Sequence, residues 1–229
     1  MKWLLLLIFS PALLAAEAKG VQVQGSCNIK VVPDRGTVSF TTENQSKDQK
    51  DAVKKTNTQM NDLKERIQKL KLVDVEFKTT NYNVYPVREY EKERYVDKGT
   101  KAAMTMEITT SEISRLGEAM VEASKAGIQN VGNMVTFLSL EKSQAEYLKC
   151  LDIASNDARK KAEQLAKKLG FTVGDVQNVI ESPIQSAPTP YPERATFAKG
   201  AMMDSAPTVS VDAGTQNFST NIQVTFDIK

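Results

Sequence analysis

No histidine occurs anywhere in the 229-residue chain. That absence removes the Ser-His-Asp and Cys-His arrangements of nucleophilic catalysis, the HExxH metalloprotease helix and every His-containing metal site. Cysteine is nearly as scarce: Cys27 and Cys150 are the two present, too few for a disulfide scaffold or a thiolate zinc site. An excess of one charge is lacking as well. Thirty Lys and Arg stand against twenty-eight Asp and Glu, a net charge of +2, which gives no electrostatic case for nucleic acid. The lysine cluster Lys47, Lys50, Lys54 and Lys55 is interleaved with Asp48 and Asp51, and reads as a solvated helix face. What is present is ordinary: 41% hydrophobic and 25% charged residues, enough for a packed core.

The N-terminus is distinctive. Lys2 supplies a positive start, Trp3 to Phe9 is unbroken apolar sequence, Pro11 interrupts it, and Ala16-Glu17-Ala18 offers the small-x-small pattern of a signal-peptidase site. The apolar stretch from Trp3 to Ala16 is 14 residues, short of the roughly 17–25 that span a bilayer as a helix. The expectation is a cleavable signal peptide over residues 1–18 and a mature body over residues 19–229, exported and soluble. No cysteine closely follows the apolar run, so a lipid-modified N-terminus has no support.

Along the body, Val21, Val23, Cys27, Ile29 and Val31 alternate with polar residues, the period of a half-buried strand. Pro33-Asp34-Arg35-Gly36 reads as a turn into a second strand through Val38 and Phe40, the two forming a hairpin. Ser46-Lys47-Asp48-Gln49 is a capping-box pattern for a helix whose stripe is Ala52, Thr56, Met60, Leu63, Ile67 and Leu70. A third strand starts near Val75 and Phe77, and a fourth carries Met104, Met106 and Ile108. Between them, Tyr82 to Gly99 changes apolar parity, which predicts a twisted, bulged hairpin arm projecting from the body.

Thr109-x-x-Glu112 suggests a second capped helix through Leu116, Met120 and Ala123, closed at Gly127. Val131 to Leu140 reads as a buried strand, and Ser143-x-x-Glu146 as the cap of a third helix. That helix would bury Tyr147, Leu151, Ala154, Ala158, Ala162, Leu165 and Leu169, ending at Gly170, its alanines permitting close approach to a sheet. Val176 to Ile180 is a short strand. Residues 182–216 hold five of the eight prolines and read as a long flexible loop. Phe218, Ile222, Val224, Phe226 and Ile228 then alternate cleanly in a last strand. The fold class expected is α+β, mostly antiparallel sheet packed against about three amphipathic helices.

Candidate chemistry is sparse. The carboxylates Glu89, Glu91 and Glu93 fall in a charged hairpin tip and read as solvated, and nothing in the sequence supplies the burial that acid–base work needs. Lys199-Gly200 and Gly170 to Gly174 lack the spacing of a phosphate-binding loop. Met104 and Met106 read as core, whereas Met202 and Met203 lie in the loop, either as thioethers open to an oxidant or as ordinary loop residues. Cys27 shares the apolar parity of its strand, and Cys150 borders the stripe of the third helix. They are therefore a candidate disulfide, or else two small buried hydrophobes. Tyr82, Tyr85, Tyr90 and Tyr95 all lie on the arm, which has too little sheet around it to bury them, so they are candidate oligomer contacts. No catalytic, cofactor-binding or metal-ligating residue is identified.

In order and spacing these pieces resemble the SIMPL family of bacterial envelope proteins, a domain of unknown function. The cues are Val21-x-Val23-x-Gly25, Pro33-Asp34, Asp74-Val75, Thr79-Thr80-x-Tyr82-x-Val84-x-Pro86, and the denser run Asn156-Asp157-Ala158-Arg159-Lys160-Lys161-Ala162-Glu163-x-Leu165-Ala166-x-x-Leu169-Gly170. Cys150, where a small helix residue is expected, is one departure, and the missing Pro-Gly before the last strand is another. The resemblance implies a periplasmic or outer-membrane-associated protein, homo-oligomeric assembly in ring-like or channel-like forms, and no established catalytic residue. It also implies a link to oxidative-stress protection without a mechanism. Two functions follow as expectations: a non-enzymatic envelope protein that assembles and binds an unidentified partner, or a protective factor acting by binding or sacrificial oxidation.

Overall fold

Alternating β-branched and small polar residues separated by amphipathic stretches give eight strands and three helices among the described residues. The computed structural model describes residues 20–181 and 212–229. The elements are β1 (Val21–Val31), β2 (Arg35–Ser46), α1 (Gln49–Lys69), β3 (Glu76–Glu91), β4 (Arg94–Thr110), α2 (Leu116–Lys125), β5 (Asn130–Val131), β6 (Val135–Phe137), α3 (Leu140–Leu169), β7 (Val173–Glu181) and β8 (Gln216–Ile228). A 3₁₀ turn at Ile113–Arg115 precedes α2. The fold is α+β with antiparallel sheets. The expected signal peptide lies outside the described residues, as does 182–211 of the expected loop; its last residue, Gln216, already belongs to β8.

The chain divides into two units: residues 28–150 with 212–219, and residues 20–27, 151–181 and 220–229. In the first, β3-β4-β2-β5 form a sheet in that order, with β6 also pairing to β2. Val38 and Phe40 of β2 and Met106 and Ile108 of β4 meet Met60, Leu63 and Ile67 of α1, and Leu116, Ala119 and Ala123 of α2. Each fully buried large side chain in this set contributes about 2–3 kcal/mol. Above that layer lies a polar group. Asn44 Nδ2 donates to Gln59 Oε1 (2.6 Å) and Thr56 Oγ1 (3.2 Å), Thr42 Oγ1 donates to Gln59 Oε1 (2.6 Å), and Thr56 Oγ1 donates to the Ala102 carbonyl (3.1 Å). Thr42 and Thr56 are fully buried, and these bonds offset their desolvation.

In the second unit the strand order is β1-β8-β7, and the C-terminal half of α3 lies against it. Ala154, Ala158, Ala162 and Ala166 are the buried line of that half-helix. Opposite them is Gly25, where a Cβ would overlap the Ala154 carbonyl oxygen and lie 2.9 Å from Ala158 Cβ. The approach is held by Asp157, whose carboxylate accepts from Ser26 N (2.9 Å), Ser26 Oγ (3.1 Å) and Lys161 Nζ (2.6 Å). On the other flank, the Arg159 guanidinium stands 5.6 Å from the centre of the Phe226 ring.

Several expectations are corrected. β1 and β2 do not form a hairpin: β1 pairs with β8 and β2 with β4, so Pro33-Asp34 joins two sheets and Arg35 already opens β2. The cap of α1 is Asp48, accepting from Lys50 N at 2.8 Å, and Ser46 remains in β2. Thr109 belongs to β4 and donates to Thr37, so the second capping box does not form, and α2 has no side-chain cap. Val131 to Leu140 is two short, half-buried strands, because Gly132 and Asn133 interrupt the run and Leu140 is the first, exposed residue of α3. The α3 cap is Ser139, not Ser143: its hydroxyl accepts from Lys142 N (3.2 Å) and donates to Asp34 Oδ2 (2.6 Å). Leu165 and Leu169 are exposed, the latter at 71%, whereas Cys150 is on the buried line.

Two outcomes follow from this packing. Gly25→Ala should lower stability by about 2 kcal/mol or more, since both neighbours are helix atoms with no room to yield. Gln22→Ala, on the exposed side of β1, should leave the thermal midpoint unchanged. At Asp34, burial works against the charged form, but the bonds from the Ser139 hydroxyl and amide outweigh it and lower the pKa. A depressed carboxylate stabilises the fold above its unfolded-state pKa and loses that contribution as pH falls through the folded value. Asp34→Asn should therefore be less stable than wild type near neutral pH, with the gap closing in acid, as chemical denaturation across a pH series would measure.

Candidate functional site

Sheet geometry makes the arm one of the exposed apolar features of the described residues. β2 ends at Ser46, opposite Thr100, while β3 and β4 pair onward to Glu91 and Arg94. From Pro86 to Gly99 the ribbon therefore has two strands and no third. A two-residue turn at Lys92 and Glu93, both with positive φ (45° and 63°), closes it in the sense that suits the right-handed twist of a hairpin. The expected change of parity is real: the register shifts between Pro86 and Arg88, and once more between Thr79 and Asn81.

The four candidate tyrosines divide into two pairs. Tyr82 and Tyr85 stand on the outer strand of the sheet, opposite Met104 and Lys101, each 42% exposed. Tyr90 and Tyr95 stand on the free ribbon, directly opposite each other, 65% and 74% exposed. Their rings meet edge to face with centroids 5.2 Å apart. Val84, with Tyr82 on the helix-facing side of β3, is exposed as well. The free edge of β3 is a poor template for strand addition, because Pro86 offers no N–H and two register shifts bend the ladder. The rings, not the strand edge, are what this surface offers.

Ion pairs fix the base and flank of the arm. Lys98 Nζ meets Glu91 (2.6 Å) and Glu89 (3.5 Å), and the hydrogen bond it donates to Glu91, against some desolvation, raises its pKa. Lys101 Nζ pairs with Glu43 at 2.9 Å, which raises its pKa, with Tyr85 adding to the effect. Gln45 Nε2 donates to the Lys98 carbonyl at 2.8 Å, tying β2 to the root of the ribbon. Sequence reasoning named the charged tip but not Gln45, Lys98 or Lys101 as its fasteners; only their cross-strand register reveals them.

Cys27 and Cys150 are buried, at 3% and 0% exposure, and neither is a free thiol. Met104 packs against the core and Met106 lies in it, while Met202 and Met203 fall outside the described residues. Among the described residues no cluster of three or more His, Cys, Asp or Glu side chains could hold a metal. No described helix is long and apolar enough to cross a membrane. An open groove of about 430 Å³ runs beside Val23 and Leu165, with Lys160, Lys161, Gln24 and Gln164 at its rim.

The dense run from Asn156 to Leu169, which carried the family resemblance, has structural duties. Asp157 grips Ser26 and Lys161, Arg159 covers Phe226, and Ala158 admits the close strand. A relative described as "Uncharacterized protein YggE", from Edwardsiella ictaluri (strain 93-146), is 23% identical over 213 residues, covering 93% of this chain and 88% of that protein. The family model for SIMPL, described as a protein of unknown function (DUF541), matches residues 21–226, and the chain belongs to that family.

Proposed function

We propose that this chain is an exported, non-enzymatic protein of the cell envelope that assembles with copies of itself through the β3–β4 arm. The observation that carries the reading is the set of exposed rings at Tyr82 and Tyr85, on the outer strand of the sheet, and at Tyr90 and Tyr95, on the ribbon beyond it that has no third strand. A two-stranded ribbon is marginal on its own in water. Tyrosine is favoured in interfaces because its ring is buried at low entropic cost while its hydroxyl still finds a partner. The blunted β3 edge directs the contact to ring faces. A partner beyond the chain itself, and association with the outer membrane, belong to the same reading. A protective role by sacrificial oxidation rests on Met202 and Met203 and draws no support from the described residues.

Light scattering tests the assembly. The wild type should exceed the monomer mass, and Tyr85→Ser with Tyr90→Ser should lower that mass while leaving the far-ultraviolet circular dichroism intact. An unchanged mass would place the contact elsewhere, and a monomeric wild type would end the assembly reading. Export is tested by intact mass of the protein recovered from the envelope: cleavage between Ala18 and Lys19 should leave a chain starting Lys19-Gly20-Val21. We assign Cys27 and Cys150 to a disulfide of that mature form. Alkylation of the unfolded, unreduced protein should add no mass, and addition at both cysteines would refute the bond.

A further inference from the structure

The tip of the arm carries a second property, independent of assembly. Tyr90 and Tyr95 are opposed by the register Glu91↔Arg94 and the two-residue turn beyond it, so their rings are held together by the shortest loop a hairpin allows. The centroids are 5.2 Å apart with the planes at 64°, and both rings are largely in solvent. The geometry points to Tyr90 and Tyr95 as an oxidative cross-linking site, where hydrogen peroxide and a haem-peroxidase-class oxidant join the two phenols of one chain as a dityrosine.

Three features select this pair. Among the described residues there is no tryptophan, the chain's one Trp being Trp3, and no free thiol, so phenols are the ready one-electron donors. Tyr82 and Tyr85 lie on the outer strand of the sheet opposite Met104 and Lys101, and have no phenol directly across the strand. Exposed side chains also change rotamer on the picosecond-to-nanosecond scale, so the edge-to-face pair can bring ortho carbons together without moving the backbone.

The step balances. Each phenol gives up one electron and its hydroxyl proton, and hydrogen peroxide accepts both pairs and leaves as two waters. The two phenoxyl radicals couple through one carbon ortho to each oxygen. One carbon–carbon bond forms, the two ortho hydrogens leave as protons and the phenoxyl oxygens take up protons, restoring aromaticity. The chain ends two hydrogen atoms lighter, with the arm tip covalently closed.

The test uses the full mature protein, as an equal mixture of ¹⁵N-labelled and unlabelled chains treated with hydrogen peroxide and a haem peroxidase. Trypsin cuts after Arg88, Lys92, Arg94 and Lys98, which puts the two tyrosines on separate peptides. The expected product is peptide 89–92 joined to peptide 95–98, two hydrogens lighter, with both halves from the same isotope pool. Dityrosine fluorescence should fall to background in Tyr90→Phe and in Tyr95→Phe. It should persist in the double variant Tyr82→Phe with Tyr85→Phe. Mixed-isotope pairs, no joined peptide, or undiminished fluorescence in Tyr90→Phe would each overturn the assignment. A monomeric wild type would leave it standing while removing the assembly proposal.

Discussion

Continuous pairing of β2 with β4, from Gly36 opposite Thr110 to Ser46 opposite Thr100, is the constraint on which the arm-bearing unit depends. It sets Val38 and Phe40 beside Met106 and Ile108, making the floor on which α1 and α2 bury their stripes. It also fixes where support ends. β4 starts six residues before Thr100, so whatever β3 and β4 do beyond that point they do as a ribbon. The exposure of Tyr90 and Tyr95 follows from a length mismatch between neighbouring strands.

The other unit is governed by smallness. Asp157, Arg159, Ala158 and Ala162 would look like a generic helix composition in isolation. Against Gly25, Ser26 and Phe226 three have distinct duties: Asp157 accepts three donors, Arg159 covers a ring, and Ala158 keeps its volume out of the way, while Ala162 is simply buried. A motif can recur because a backbone must come close, with no chemistry attached.

What the sequence made legible was local. The stripe of α1 from Ala52 to Ile67, the alternation of β8 and the bulged arm all follow from periodicity within a dozen residues. What it hid was decided at long range. β1 pairs with β8 rather than β2, although nothing near Pro33 distinguishes a hairpin from a crossing between sheets. Ser139 wins over Ser143 as the α3 cap because Asp34 holds it. Leu165 and Leu169 looked buried on a straight stripe. The actual buried line steps by four residues from Cys150 to Ala166 and so turns about 40° per step around the helix, leaving both leucines outside it. The tyrosines were legible as a group, but their division into an edge pair and a tip pair needed the register.

The polar group formed by buried Thr42 and Thr56 with half-buried Asn44 and Gln59 adds little net stability, since each of its bonds replaces one to water. Its value is as a vernier. A purely aliphatic contact between α1 and the sheet would tolerate sliding the helix by one turn, about 5.4 Å, with modest loss. Here such a slide would carry Thr56 away from the Ala102 carbonyl and Gln59 away from Asn44, orphaning several buried groups at roughly 1–3 kcal/mol each. Those few hydroxyls and amides give the helix one admissible position along the strands.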